Sequence, residues 1–101
     1  MSGECPLIRV EVNFFATVRM YADAKGISLR LPEGSTARDL VDALLGRFGS
    51  AFDDYIVDEM GNLHHHVVIL RNGRGIGILD GLGTVINDGD SIALLPAIGG
   101  G

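Results

Sequence analysis

The sequence is poor in the residues that mark several classes of protein. Its 101 residues include one cysteine, Cys5, which rules out an internal disulfide framework and supplies too few ligands for a cysteine-based zinc site. Lys and Arg together number 8 against 13 Asp and Glu, giving a formal charge of -5 and a pI near 4.9. Nucleic-acid affinity comes largely from clustered basic side chains, so no nucleic-acid partner is expected, and partners with basic surfaces are. No apolar run approaches the roughly 20 residues that cross a bilayer, and Met1-Ser2-Gly3-Glu4-Cys5 lacks a basic-then-apolar leader pattern. The expectation is a cytoplasmic protein with no membrane attachment. There is no internal repeat and no linker, and no nucleophile, base and orienting group stand out together as a catalytic set.

What is present is a small α+β pattern, read as one domain over 1–101 with a folded core at 7–96. Leu7 to Phe15 alternates, with Ile8, Val10, Val12 and Phe14 on one side and Arg9, Glu11 and Asn13 on the other, the period of a half-buried strand. A polar stretch with Asp23, Lys25 and Gly26 reverses the chain into Ile27, Leu29 and Leu31, and Pro32-Glu33-Gly34 ends that second strand. These two strands should form a hairpin. Ser35 or Thr36 can cap a helix, with Asp39 completing a capping-box spacing from Thr36. Leu40, Leu44 and Phe48, with Val41 and Leu45 beside them, predict one main helix running to a C-cap at Gly49.

Beyond it, Ala51 to Val57 reads as a further helical turn and Asp58 to Asn62 as a loop. Val67 to Leu70 is strand-like, Asn72-Gly73 favours a tight turn, and Ile76, Ile78 and Leu79 lead to a second turn at Asn87-Asp88-Gly89-Asp90. Ser91 to Leu95 is the last strand. Strands flanking one long helix without regular βα alternation predict a mixed sheet packed on that helix, the layout of a β-grasp.

The last strand runs straight into Pro96-Ala97-Ile98-Gly99-Gly100-Gly101. Three glycines add no packing and cost the most entropy to order, so 97–101 is expected to be a flexible tail. Extended, Ala97 to Gly101 reaches about 17 Å, and a backbone without side chains can thread a narrow tunnel. A partner enzyme can then activate the Gly101 carboxylate as an acyl adenylate for attack by sulfur or an amine. A glycine run can also be inert filler. Its position directly after a strand and the apolar Ile98, which can seat the root of the tail in a groove, argues for use.

Other residues carry less. His64-His65-His66 suggests a metal, but neighbours on an extended chain point to alternate faces and cannot all meet one ion, so a strand entrance is expected and no metal. Cys5 could carry a persulfide, yet only Arg9 is near in sequence to lower its pKa, and an incidental thiol is expected. Asn72-Gly73-Arg74-Gly75 fits no phosphate-binding fingerprint and reads as a turn, as do Asp88 and Asp90.

Val12-Asn13-Phe14-Phe15-Ala16-Thr17-Val18-Arg19, Leu31-Pro32-Glu33-Gly34-Ser35-Thr36 with Asp39-Leu40, and Asp88-Gly89-Asp90-Ser91-Ile92-Ala93-Leu94-Leu95-Pro96 resemble three stretches of the ThiS/MoaD family of ubiquitin-like sulfur carriers, which includes the molybdopterin synthase small subunit. The family's usual Pro-Pro-Val-Ala-Gly-Gly ending becomes Pro96-Ala97-Ile98-Gly99-Gly100-Gly101, of unchanged length. The resemblance implies a β-grasp fold and a non-catalytic carrier that binds no cofactor of its own. It implies adenylation of Gly101 by an ATP-dependent E1-like activating enzyme, conversion to a thiocarboxylate, and tail recognition through Gly100, Gly99 and Ile98. The implied acceptor is a synthase subunit, most simply the molybdopterin synthase large subunit. The longer segment from Gly61 to Gly73, with Gly81-Leu82, is similar to longer relatives, including carriers for cysteine synthesis and archaeal modifiers. This keeps open a lysine-conjugated modifier, or a carrier for cysteine synthesis or thiolation.

Overall fold

In a computed structural model, described over residues 6–76 and 81–97, the chain forms a five-stranded sheet and three short helices. In chain order these are β1 (Leu7–Phe14), α1 (Ala16–Ala22), β2 (Gly26–Pro32), α2 (Ala37–Leu44), α3 (Ser50–Ile56), β3 (Val67–Arg71), β4 (Arg74–Gly75) and β5 (Ser91–Pro96), with a 3₁₀ turn at Gly81–Gly83. The sheet order is β2-β1-β5-β3-β4. β1 and β5 are parallel, from Glu11 opposite Ser91 to Phe14 opposite Leu94, and the other pairings are antiparallel. The sheet is therefore mixed, as expected.

Strand alternation follows the sequence closely. In β1 the residues Ile8, Val10, Val12 and Phe14 are buried and those between them are exposed. Leu29 and Leu31 of β2, Val67 and Ile69 of β3, and Ile92 and Leu94 of β5 join them under the helices. Each such fully buried side chain contributes about 1.5–3 kcal/mol of transfer free energy. At the end of β3, Asn72 (φ 51°) and Gly73 (φ 86°) both adopt positive φ, the requirement of a two-residue hairpin turn into β4.

Thr36, rather than Ser35, caps α2: its Oγ accepts from the Asp39 N–H at 3.3 Å, while an Asp39 carboxylate oxygen accepts from the Thr36 N–H at 2.9 Å. Ser35 instead donates to the Pro32 carbonyl. The Ala37 N–H donates to the Thr84 carbonyl at 2.8 Å, so the helix start is tied to the segment before β5.

Two expectations need correction. The main helix does not run to Gly49. It stops at Leu44, Leu45 is extended, and Gly46 turns at a φ of 85°, with its N–H donating to both carboxylate oxygens of Asp53 at 3.1 and 3.2 Å. Gly49 is the N-cap of α3, so the helical layer is made of consecutive short pieces. Phe48 lies outside α2 yet still packs on the core, edge to face with Phe14 at 5.3 Å and beside Phe52 at 4.9 Å. Its spacing from Leu44 reports burial and not helix. The second correction is α1, which occupies part of what reads as a polar link between β1 and β2. Only Val18 and Ala22 of its seven residues are buried, too short a stripe to show a period.

Asp90 locks the start of β5. It is 7% exposed, takes Arg71 Nε at 2.7 Å and the Asn87 N–H at 2.8 Å on one oxygen, and takes Asn72 Nδ2 at 3.0 Å on the other. Burial pushes its carboxyl pKa up, but the bonds from Asn87, Asn72 and Arg71, with the Arg71 charge, outweigh this and hold it below the ordinary value. Because the folded-state pKa is depressed, Asp90 stabilises the fold above the unfolded pKa near 4, and that contribution is lost as pH falls through the folded value. Asp90→Asn should lower thermal stability at pH 7 and flatten this part of the acid dependence, as read by melting curves between pH 7 and pH 2. Thr36→Ala should cost about 1 kcal/mol in denaturant unfolding.

Candidate functional site

The candidate site is built where β5 delivers the chain to its last residues. Gly101, Gly100, Gly99 and Ile98, the residues singled out for activation and tail recognition, lie outside the described residues, as do Cys5, Ile78 and Leu79. What the structure places is the root of the segment. β5 lies between β1 and β3, so its last residues leave from the middle of the sheet rather than from an edge. On the β1 side, the Phe15 N–H donates to the Leu94 carbonyl at 3.0 Å. On the β3 side, Val68 faces Leu95 and Val67 faces Pro96, and the Ala97 N–H donates to the His66 carbonyl at 2.7 Å. Ala97 is thus held from one side by the residue that precedes β3.

His66 is itself anchored. Its Nε2 lies 2.8 Å from the Tyr55 carbonyl oxygen, and its ring sits 4.4 Å from the Tyr55 ring. Tyr55 stacks on Tyr21 at 4.6 Å, and its hydroxyl lies 3.2 Å from Thr17 Oγ. His64 stacks on the His66 ring, with centroids 4.6 Å apart and planes 15° from parallel. Tyr21 is 42% exposed, and Phe15, whose backbone is bonded to Leu94, is 43% exposed. Arg19 donates through Nε to the Phe14 carbonyl at 3.0 Å and sits 5.8 Å from the centre of the Phe15 ring, within range of a cation–π contact. The chain therefore leaves the sheet beside exposed aromatic and guanidinium groups, the composition of a protein-docking surface.

The histidines stand at a strand entrance, with the Val67 N–H donating to the His64 carbonyl at 3.0 Å. Among the described residues no three His, Cys, Asp or Glu side chains are grouped to hold a metal ion. Asp88 and Asp90 shape the turn before β5: an Asp88 carboxylate oxygen accepts from the Arg9 N–H at 2.8 Å, and the Gly89 N–H donates to the Arg9 carbonyl at 2.8 Å. Sequence reasoning did not bring Tyr21, Tyr55 and His66 together, because they lie on α1, α3 and the turn before β3, and no local period links them.

The sequence model of the ThiS family matches residues 12–101, from the middle of β1 through the final glycine. The chain belongs to the ThiS family. Its relatives include small archaeal modifier protein 3 of Haloferax volcanii, 33% identical over 94 residues, covering 93% of this chain and all of that protein. The molybdopterin synthase sulfur carrier subunit of Drosophila erecta is 28% identical over the full length of both. The crystal structure of small archaeal modifier protein 1 of Haloferax volcanii superposes with a TM-score of 0.79 at 29% identity, covering 92% of this chain and 99% of that one. The mixed sheet and its helices are accordingly a ubiquitin-like β-grasp. ThiS-type proteins form a family of sulfur carriers and modifiers and are generally non-catalytic. No helix among the described residues is long and apolar enough to cross a membrane.

The hold on Ala97 can be tested directly. Its amide should be protected in hydrogen exchange followed by NMR, and Tyr55→Ala, which removes the ring packed against His66 and leaves the backbone carbonyl in place, should speed that exchange by about tenfold, equivalent to ~1.4 kcal/mol. Unchanged protection would show that the Tyr55 ring adds nothing to the hold on Ala97.

Proposed function

We propose that this protein is a carrier whose working group is the Gly101 carboxylate, activated by an ATP-dependent E1-like enzyme and converted to a thiocarboxylate that donates sulfur, within molybdopterin synthase as its small subunit. The observation that carries this reading is the placement of the chain's exit: Ala97 leaves the centre of the sheet beside the exposed Phe15, Tyr21 and Arg19. A partner docked on that face lies where the remaining residues can enter it. The family match through residue 101 and the full-length similarity to a molybdopterin synthase sulfur carrier subunit support the same end-use.

The chemistry divides between carrier and partner. A Gly101 carboxylate oxygen attacks the α-phosphorus of ATP and pyrophosphate leaves. A sulfur nucleophile then attacks the carbonyl carbon, the bond to the AMP oxygen breaks, and AMP departs. Gly100 and Gly99 leave the main chain bare for hydrogen bonds from the partner, and Ile98 supplies the apolar contact at the tunnel mouth. The carrier holds no nucleotide, and ATP belongs to the partner's site.

A second reading has its own support, since a 33% identical relative carries the name of a small archaeal modifier protein. In that reading a lysine amine takes the place of the sulfur nucleophile, and the product is an isopeptide bond. Intact-mass measurement after incubation with the cognate activating enzyme, ATP and a sulfur source should show one oxygen replaced by sulfur at Gly101, and no change once Gly101 is deleted. A glycine remnant on cellular lysines that disappears with Gly101, without any thiocarboxylate, would favour the modifier instead. Phe15→Ala should leave stability within about 1 kcal/mol, because the ring is partly exposed, while weakening binding to the activating enzyme.

A further inference from the structure

The eight basic side chains are seven arginines, at 9, 19, 30, 38, 47, 71 and 74, and a single lysine, Lys25. A guanidinium stays protonated at any physiological pH and is no acyl acceptor, whereas an unprotonated lysine amine is. A chain that bears an activated carboxyl end therefore offers it one side-chain amine of its own. We propose that Lys25 Nζ is an internal acceptor for the activated Gly101 acyl group, closing the chain into a ring and withdrawing it from sulfur delivery. This rests on the carrier reading above, in which Gly101 is the activated end.

The placement comes from the sheet register. The Phe14 N–H donates to the Lys25 carbonyl at 2.9 Å, so Lys25 stands one step before β2 and level with Phe14. Phe14 in turn pairs with Leu94 across the parallel β1/β5 ladder. Lys25 thus lies at the end of the sheet from which β5 leaves, two strand spacings, about 10 Å, to the side. Pro96 is two residues beyond Leu94, about 7 Å further along the strand, which makes the backbone separation from Lys25 about 12 Å. Five residues from Ala97 to Gly101 span up to about 17 Å, and the four-carbon lysine stem shortens the gap further. Lys25 is exposed, and no salt bridge among the described residues engages it.

In the step itself the neutral amine attacks the Gly101 carbonyl carbon, the C–N bond forms, and the bond to the AMP oxygen breaks. AMP leaves with the electron pair, and the extra proton on nitrogen passes to water. Tethering favours the chain's own lysine over that of another copy. A short flexible connection gives an effective concentration on the order of millimolar, about a hundredfold above a second copy present at about 10 µM.

The test separates this geometry from enzymatic activation. The full chain is prepared with a Gly101 alkyl thioester by intein cleavage and incubated at mildly alkaline pH, and products are read by intact mass and peptide mapping. Expected is a monomer that has lost the thiol, resists hydroxylamine, and maps as a Lys25–Gly101 amide, with its yield reduced at least about tenfold in Lys25→Arg. Hydrolysis alone, attachment at the Met1 amine, a hydroxylamine-sensitive bond to Cys5, or amide-linked dimers would each overturn the proposal. A second arm uses the free acid with the activating enzyme and ATP but no sulfur source. If the thioester closes on Lys25 and the enzyme arm forms no adenylate, the placement of Lys25 stands and the activation reading fails.

Discussion

The parallel pairing of β1 with β5, from Glu11 and Ser91 to Phe14 and Leu94, is the constraint on which the remaining structure depends. A parallel pair cannot be closed by a tight turn, so everything between the two strands must be spent on a long crossover. That crossover supplies β2, the three-piece helical layer and the β3–β4 hairpin. It also places the last strand between two others, with hydrogen bonds on both edges, and so fixes where the chain leaves the sheet. A last strand at the edge would leave the same residues anchored on one side only.

Several small polar devices hold that strand in register. Asp90 gathers Arg71, Asn72 and the Asn87 N–H, while Asp88 and Gly89 bond to the backbone of Arg9 at the other side of the turn. At the far end, Ala97 is bonded to His66, which rests on Tyr55 and through it on Tyr21 and Thr17. The start of β5 is thus fixed by charge-assisted bonds and its end by a backbone bond supported by stacked rings. Between them Ile92 and Leu94 are buried in the core. Such an arrangement gives a rigid platform up to Ala97 from which the carboxyl end can be presented.

How much of this is legible in the sequence depends on the range of the interactions. The alternation of β1, the Thr36–Asp39 capping box and the Asn72-Gly73 turn are local and can be read directly. The end of α2 is not legible, because Phe48 keeps the spacing of Leu40 and Leu44 while its burial comes from Phe14 and Phe52, partners in other elements. The short α1 left too few buried positions to register. The glycine run is plain in the sequence, but the aromatic groups beside Ala97 are not, because Tyr21, Tyr55 and His66 meet only through the fold. Lys25 likewise gains meaning from the register that sets it level with Leu94.

The central claim is that the Gly101 carboxylate is the group that partners activate. Isotope exchange between pyrophosphate and ATP, catalysed by the cognate activating enzyme, reads formation of the acyl adenylate before any sulfur is involved. The full chain should support exchange, and a chain ending at Gly100 should reduce it to background. Equal exchange with both, or none with the full chain under conditions in which the enzyme adenylates another carrier, would contradict the account.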